Sequence, residues 1–513
     1  MNAARRQTGQ APSRTHRPGA ALAALAAAQF TVMLATSIVN VALPRIHATI
    51  GLSDGATTWV INAYGLAFGA LLLAGGRAAD LLGRRRVLIA GLALFVPASL
   101  AAGLAASSGV LITARVLQGL AAAAIAPAAL ALAMDQFPTG PGRGRTLGVW
   151  GAVSGAGGAG GVLLGGVLVQ AWSWPWIFHT VALAAALVLA AVAKLLPATG
   201  QDTGHGAGHQ AGQDDGQDTG QQPGQRAGRF DLPGTATVTL ALTCLVWGLT
   251  SARGAGWSDT RVLGAIGAAA ALLVAFTVIE RRRPDAPIPP RLLTTGRVAA
   301  GNLLMALLGS VWIALFFFLP LYQQQVLGSG PLATGAGQLP LAGANMLGAA
   351  LAPRTSRRIG APATVTTALL TEAVGLLWLS RIDADGSYLA DILGPSFLIG
   401  LGLGAAFVQL TALAVTGVPQ RDAGLAGALV NTTRQVGGAI GLAALATLAG
   451  SVTTHAATHQ PRLEALTAGY RTAFALSAAV MTATALLALL LTRRADPTPL
   501  PTPTHPAPEP QTA

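Results

Sequence analysis

Charge is what this sequence has least of. Only 10% of its 513 residues are Asp, Glu, Lys or Arg, while 52% are hydrophobic; soluble domains carry roughly 25% charged residues. Apolar runs of about 20 residues recur along the chain, which excludes an ordinary soluble core and makes lipid the expected solvent. Cysteine is nearly missing. Cys244 stands alone, so no intramolecular disulfide can form and the redox compartment leaves no mark. Lysine is confined to Lys194, which follows Ala193. A phosphate-binding loop ends in Gly-Lys-Ser/Thr, so the chain has no Walker-type nucleotide site of its own. Any transport it performs must draw on a gradient or on a partner's ATPase.

Fragments that look like enzyme motifs lack the context their chemistry needs. GLSDG at 51–55 has nucleophile-elbow spacing, but an apolar helical run rather than a strand precedes Ser53. GAGGAG at 155–160 matches a dinucleotide fingerprint inside an apolar helical run, with no strand before it and no acid at ribose distance. Close helix packing accounts for it better. His455 and His459 have one-turn spacing, yet Ala456, Ala457 and Thr458 between them supply no general base. His205 and His209 sit in a polar tract without further fixed ligands. The expectation is no enzymatic activity, no cofactor and no metal site.

What the chain does have is spans. Hydropathy places helices near 20–43, 56–76, 87–106, 110–134, 146–169 and 176–196, then near 233–251, 262–280, 298–322, 332–353, 361–380, 390–416, 424–450 and 470–492, about fourteen in all. The first run is longer than the 7–15-residue core of a signal peptide, so it reads as a retained helix. The domain order follows: a basic tail at 1–19, a six-helix bundle at 20–197, a Gly/Gln/Asp-rich linker at 198–232, two additional helices at 233–297, a second six-helix bundle at 298–492 and a Pro-rich tail at 493–513. The fold class expected is an all-α integral membrane protein.

The net charge of +13 raises the question of nucleic acid, and position answers it. Of the 32 Lys and Arg, about 23 lie in the termini and the loops after even-numbered helices, about 6 in the opposite loops and about 3 inside helices. That bias puts both ends in the cytoplasm. It reads as orientation in a cell membrane rather than as a nucleic-acid footprint.

The loop between the second and third spans, GGRAADLLGRRRV at 75–87, carries more than positive charge. Gly76 and Gly83 permit close approach and a tight turn, Asp80 can accept from an arginine or a helix end, and Arg84, Arg85 and Arg86 fix the cytoplasmic side. Asp135, near the same interface, reads as a loop anchor. This resembles the signature loop of the major facilitator superfamily, whose two six-helix halves rock about a central site. ARVLQGLAAA at 114–123 is similar to that family's fourth-helix motif, which implies for Arg115, Gln118 and Gly119 an intramembrane arginine linked to proton coupling. An arginine there is costly in lipid and should face the interior. GVWGAVSGAGGAGGVLLGG at 148–166 resembles the exporter motif of the antiporter branch through Gly151, Gly155, Gly161, Gly165 and Gly166, with Val162 where that branch usually has proline. Glycines at this spacing suit close packing, expected at the seam between halves. The two extra helices point to the fourteen-helix, QacA-like drug:proton antiporters. PRTSRRIG at 353–360 stands where the second half should repeat the signature loop, minus its aspartate.

The resemblance implies a substrate cavity offering Asn40, Asn302, Trp312, Phe316, Phe407 and Gln409, a set of amide and aromatic groups suited to bulky amphipathic organics. Asn431, Arg434 and Gln435 in the thirteenth span are expensive polar groups that line an interface or the pathway. Proton coupling is less direct. Members of the branch usually carry an aspartate just before the residues matching TSIVNVALP, and this chain has Ala35. Glu372 is the only acid deep in an expected span, and so a second candidate for coupling. The expected function is proton-coupled export of drug-like or antibiotic-like amphipathic molecules, with the lipid bilayer, protons and a small molecule as partners. Ala35 favours an alternative, a specific metabolite exporter that is uncoupled or differently coupled. A transport-inactive membrane sensor or scaffold is the third reading.

Overall fold

A computed structural model describes residues 18–136, 141–196, 232–282, 296–416, 418 and 423–493. The linker with His205 and His209, and both tails, lie outside the described residues. All regular structure among the described residues is helical. It forms fourteen rods: α1 in two segments, Pro18–Ser37 and Val39–Ile50, then α2 Asp54–Leu82, α3 Arg84–Gly103, α4 Ser108–Gln136, α5 Pro141–Ala171, α6 Pro175–Leu195, α7 Leu232–Ala255 and α8 Thr260–Arg282. The second half has α9 Gly296–Gln325, α10 as Pro331–Gly337 and Leu339–Ile359, α11 Ala361–Leu379, α12 Gly394–Val415 entered through a wide turn at Tyr388–Leu393, α13 Ala423–Ala456 and α14 Arg462–Arg493. Twelve of these are long and apolar enough to cross a membrane; α7 has a shorter apolar stretch, Ala236–Ala252. Fourteen rods are therefore present, while length and composition alone identify twelve spans.

The helices outrun their apolar cores because nothing in the flanking sequence stops them. Ser53, in the fragment with elbow spacing, is a helix cap: its Oγ accepts from the Ala56 N–H at 3.1 Å. The break in α10 falls where proline removes a donor. Pro340 cannot bond back to Ala336, and α10 is interrupted at Gln338. Pro44 leaves the Asn40 carbonyl without its helical donor in α1.

Small residues set how closely the rods approach. A Cβ at Gly119 of α4 would lie 2.5 Å from the Tyr64 carbonyl oxygen of α2, and one at Gly75 would overlap the Ala123 carbonyl. On α13, Gly437 and Gly441 admit the backbones of Ala306 and Ser310 on α9 in the same way. The pair α7 and α8 lies outside the two halves, where Leu242 and Val246 pack with Leu66 and Ala70 of α2 and Ala439 and Ala443 of α13. Thr447 donates to the Leu249 carbonyl at 2.8 Å.

Both described chain ends lie at one end of the bundle, termed the terminal end; the opposite one is the distal end. Contacts between the halves run from mid-bundle to the distal end. Gly69 of α2 faces Gln435 of α13, Gly166 of α5 faces Pro331 of α10, and Gln324 of α9 donates to the Val41 carbonyl of α1 at 2.9 Å.

Candidate functional site

The loop at 75–87 is a tie between helices. Gly83 adopts φ 97°, a conformation that favours glycine, and turns the chain into α3. Arg84 Nη1 then donates to both carboxylate oxygens of Asp135 on α4 at 2.7 Å, and Nη2 lies 3.4 Å from Asp80 Oδ1. Arg85 donates from Nε to the Leu196 carbonyl at 2.7 Å and from Nη2 to the Ala193 carbonyl at 3.3 Å, covering the C-terminal carbonyls of α6. Arg86 is exposed. The close approach expected of Gly76 belongs to its neighbour: a Cβ at Gly76 would meet only Pro127 at 3.7 Å, an ordinary contact, whereas Gly75 sits on the α4 backbone.

Deep in the first half, Arg115 is 1% exposed. Its Nε donates to the Val60 carbonyl at 3.0 Å; Nη1 donates to the Ala35 carbonyl at 3.2 Å and to Gln118 Oε1 at 3.0 Å. The guanidinium carbon stands 4.4 Å from the centroid of the Tyr64 ring. Gln118 passes the network on, donating to Ser99 Oγ at 2.7 Å, and Ser99 donates to the Phe95 carbonyl. Tyr64 Oη donates to the Val32 carbonyl at 3.0 Å. Among the described residues no carboxylate pairs with Arg115; backbone carbonyls, an amide and a ring surround it. Sequence reasoning missed Tyr64, Ser99 and the two carbonyls, since nothing local to them signals an arginine from another helix.

The glycines of α5 divide by face. Gly161 and Gly165 sit against Ser37 and Ile38 of α1, within the same half, beside the break in that helix. Gly166 alone of the expected set reaches the other half, where a Cβ would lie 2.5 Å from the Pro331 carbonyl oxygen; from across the seam, Gly335 faces the Val162 carbonyl at 2.8 Å. Gly151 and Gly155 lie on the same side of α5 as Val162 and Gly166, yet they are exposed and an added Cβ would meet nothing within 4 Å. Helices α5 and α10 therefore touch at the distal end and diverge toward the terminal end.

The residues expected in the cavity also separate. Asn302 is used inside a helix crossing, donating to the Val298 carbonyl at 2.9 Å and accepting from Thr433 at 3.1 Å. Gln409 donates to the Ala352 carbonyl at 3.0 Å and so ties α12 to α10. Gln435 is buried on the α2 side, and Asn40 is buried with Oδ1 unpartnered. Four residues come together: Trp312 and Phe407 meet edge to face with centroids 5.5 Å apart, the Arg434 guanidinium carbon lies 5.2 Å from the Trp312 ring, and Arg434 Nη2 donates to Asn431 Oδ1 at 2.8 Å. Phe316, one turn beyond Trp312, is half-buried. Glu372 is fully buried, and neither oxygen has a partner among the described residues. It abuts Gly402, on a different face of α12 from Phe407. Among the described residues no group of three His, Cys, Asp or Glu could hold a metal ion.

Comparison with known proteins gives one picture. Residues 25–442 match the family model described as Major Facilitator Superfamily. The chain is 38% identical to the puromycin resistance protein of Streptomyces alboniger, over 93% of this chain and 92% of that one. It is 37% identical to the cephamycin export protein of Amycolatopsis lactamdurans, over 95% of each. Among solved structures, an auto-inhibited POT-family peptide transporter superposes with a TM-score of 0.67 at 16% identity, over 96% of this chain and 98% of that one, which bears on the fold alone.

Proposed function

Because the chain belongs to the major facilitator superfamily, we propose that it is a secondary exporter of antibiotic-like amphipathic small molecules, working by alternating access and proton antiport. One observation carries the reading: the halves are joined at the distal end and parted at the terminal end, with Gly166 packed on α10 while Gly151 and Gly155 stand free. Among the described residues, α5 and α10 thus meet at the distal end and part toward the terminal end. The arginine bias makes the terminal end cytoplasmic, so this is the state in which an exporter loads. The two relatives matched over nearly their whole length are named for antibiotic resistance or export, which supports the substrate class. Fourteen spans in the cytoplasmic membrane, with both termini inside, complete the topology.

Arg115 supports a coupling role only through its position, and Glu372 is the other candidate carrier. Ala35, which offers no side-chain acid where the branch usually has an aspartate, favours a second reading, transport that is uncoupled or differently coupled. Purified protein in liposomes decides between them. An amphipathic dye should move against an imposed pH gradient; movement without proton flux favours the second reading, and no movement of any dye or antibiotic tested overturns export.

A further inference from the structure

We infer that the group Arg434, Asn431, Trp312 and Phe407 is a binding site for the carboxylate end of an aromatic acid. This rests on the transport reading for access to the cavity. Arg434 lies near the middle of α13, where a charge is costly and is retained for a functional partner or a structural one. The structural partner is absent in kind: α9, α12 and α13 contain no Asp or Glu at all, and those of α2 are confined to its ends, at Asp54 and Asp80. Among the described residues no ion pair reaches Arg434. It makes one hydrogen bond, to Asn431, and lies over the Trp312 ring.

A guanidinium is a planar fork with five N–H donors, matched to a carboxylate. One donor is engaged by Asn431 Oδ1, and Arg434 is partly exposed, so a fork edge remains for a ligand. Trp312 and Phe407, packed edge to face on α9 and α12, offer an apolar wall to a flat ring beside that fork. Arg115, the buried cation of the first half, has no acid partner either. A cationic ligand would meet Arg434 with no negative side chain to offset the repulsion, because Glu372 of α11 is buried against another face of α12. The site therefore selects against cations and for anions.

The test is an equilibrium titration of the full chain in phosphatidylcholine nanodiscs, which keeps anionic headgroups out of competition. The probes are 2-naphthoate, 2-naphthamide and 2-naphthylmethylammonium, alike in ring and unlike in charge. Naphthoate should bind at least roughly tenfold more tightly than the amide, and the ammonium most weakly. Arg434→Gln should bring naphthoate down to the amide level and leave the amide within about twofold. Arg434→Lys should keep part of the gap, since the charge stays but the fork is lost. Naphthoate that fails to bind, binds no better than the amide, or keeps its advantage in Arg434→Gln overturns the proposal. If Arg434→Gln does not fold, an unchanged gap in Arg434→Lys overturns it instead. Loss of gradient-driven transport in liposomes leaves this ordering standing, whereas equal binding of the three probes removes the anion preference and leaves export untouched.

Discussion

Adding one methyl group to α5 should move the whole bundle, and the direction should depend on which glycine receives it. At Gly166 the new Cβ would lie 2.5 Å from the Pro331 carbonyl oxygen, 3.1 Å from Leu332 Cα and 3.2 Å from the Pro331 carbonyl carbon. All three are backbone atoms and cannot rotate away, so the first turn of α10 has to retreat by about 0.5–1 Å. Overpacking of this kind costs roughly 1–3 kcal/mol, which in a two-state equilibrium is about 5–150-fold. Gly166→Ala should therefore disfavour the distal-closed state by that factor. At Gly155 an added Cβ meets nothing within 4 Å, so Gly155→Ala costs nothing in the present state. It obstructs only a state in which the terminal ends close along the same stripe, and should hold the bundle open there. The assay is a pulsed dipolar distance between spin labels at Arg86→Cys on α3 and Arg358→Cys on α10, both exposed, with Cys244→Ser as background. Gly166→Ala should enrich short distances and Gly155→Ala long ones. Identical distributions in both variants, or the reverse order, would refute the reasoning.

Three further outcomes are expected. Arg115→Gln removes charged bonds to two carbonyls, each worth about 1.5–3 kcal/mol and partly offset by no longer burying a cation; thermal melts should show a clear fall, while Asp135→Asn, acting on a half-exposed pair worth about 1 kcal/mol or less, should barely move the midpoint. Equal shifts in the two variants would count against the buried network. Ala35→Asp puts a carboxyl beside Arg115 and should alter the pH dependence of dye transport in liposomes; an unchanged profile means coupling never relied on this position. Glu372→Gln keeps shape without a titrating proton, so gradient-driven transport should fall while substrate exchange at equal pH persists if Glu372 carries the proton. Equal activity in both modes returns it to packing.

Most of the architecture was legible because lipid is a strict solvent: long apolar runs declare themselves, and arginines mark one side. Helix ends were less so. The run of α14 reads from 470, but the helix starts at Arg462, because polar residues outside the bilayer core continue a helix that hydropathy cannot see. The interruption in α1 was hidden too, since no proline or glycine stands at Ile38 and only packing beside Gly161 and Gly165 marks the place. At the site, types were readable and partners were not. Arg115 and Arg434 stood out as misplaced charges, whereas Tyr64 and the Val60 and Ala35 carbonyls come from other helices. Asn302 and Gln409 looked like cavity amides, but an amide in lipid serves equally well to lock two helices, and here each does.

The bond from Arg115 to the Ala35 carbonyl has a consequence for how such a protein can change. A main-chain oxygen is present whatever residue occupies the position, so no substitution at 35 can erase this acceptor. The arginine stays moored while the side chain next to it is free to gain or lose an ionisable group. On the proposed reading, in which the side chain at 35 sets the coupling, scaffold and energy source would part at a single residue: a descendant could switch between burning a gradient and merely equilibrating its cargo without rebuilding the helix interface that holds the cation.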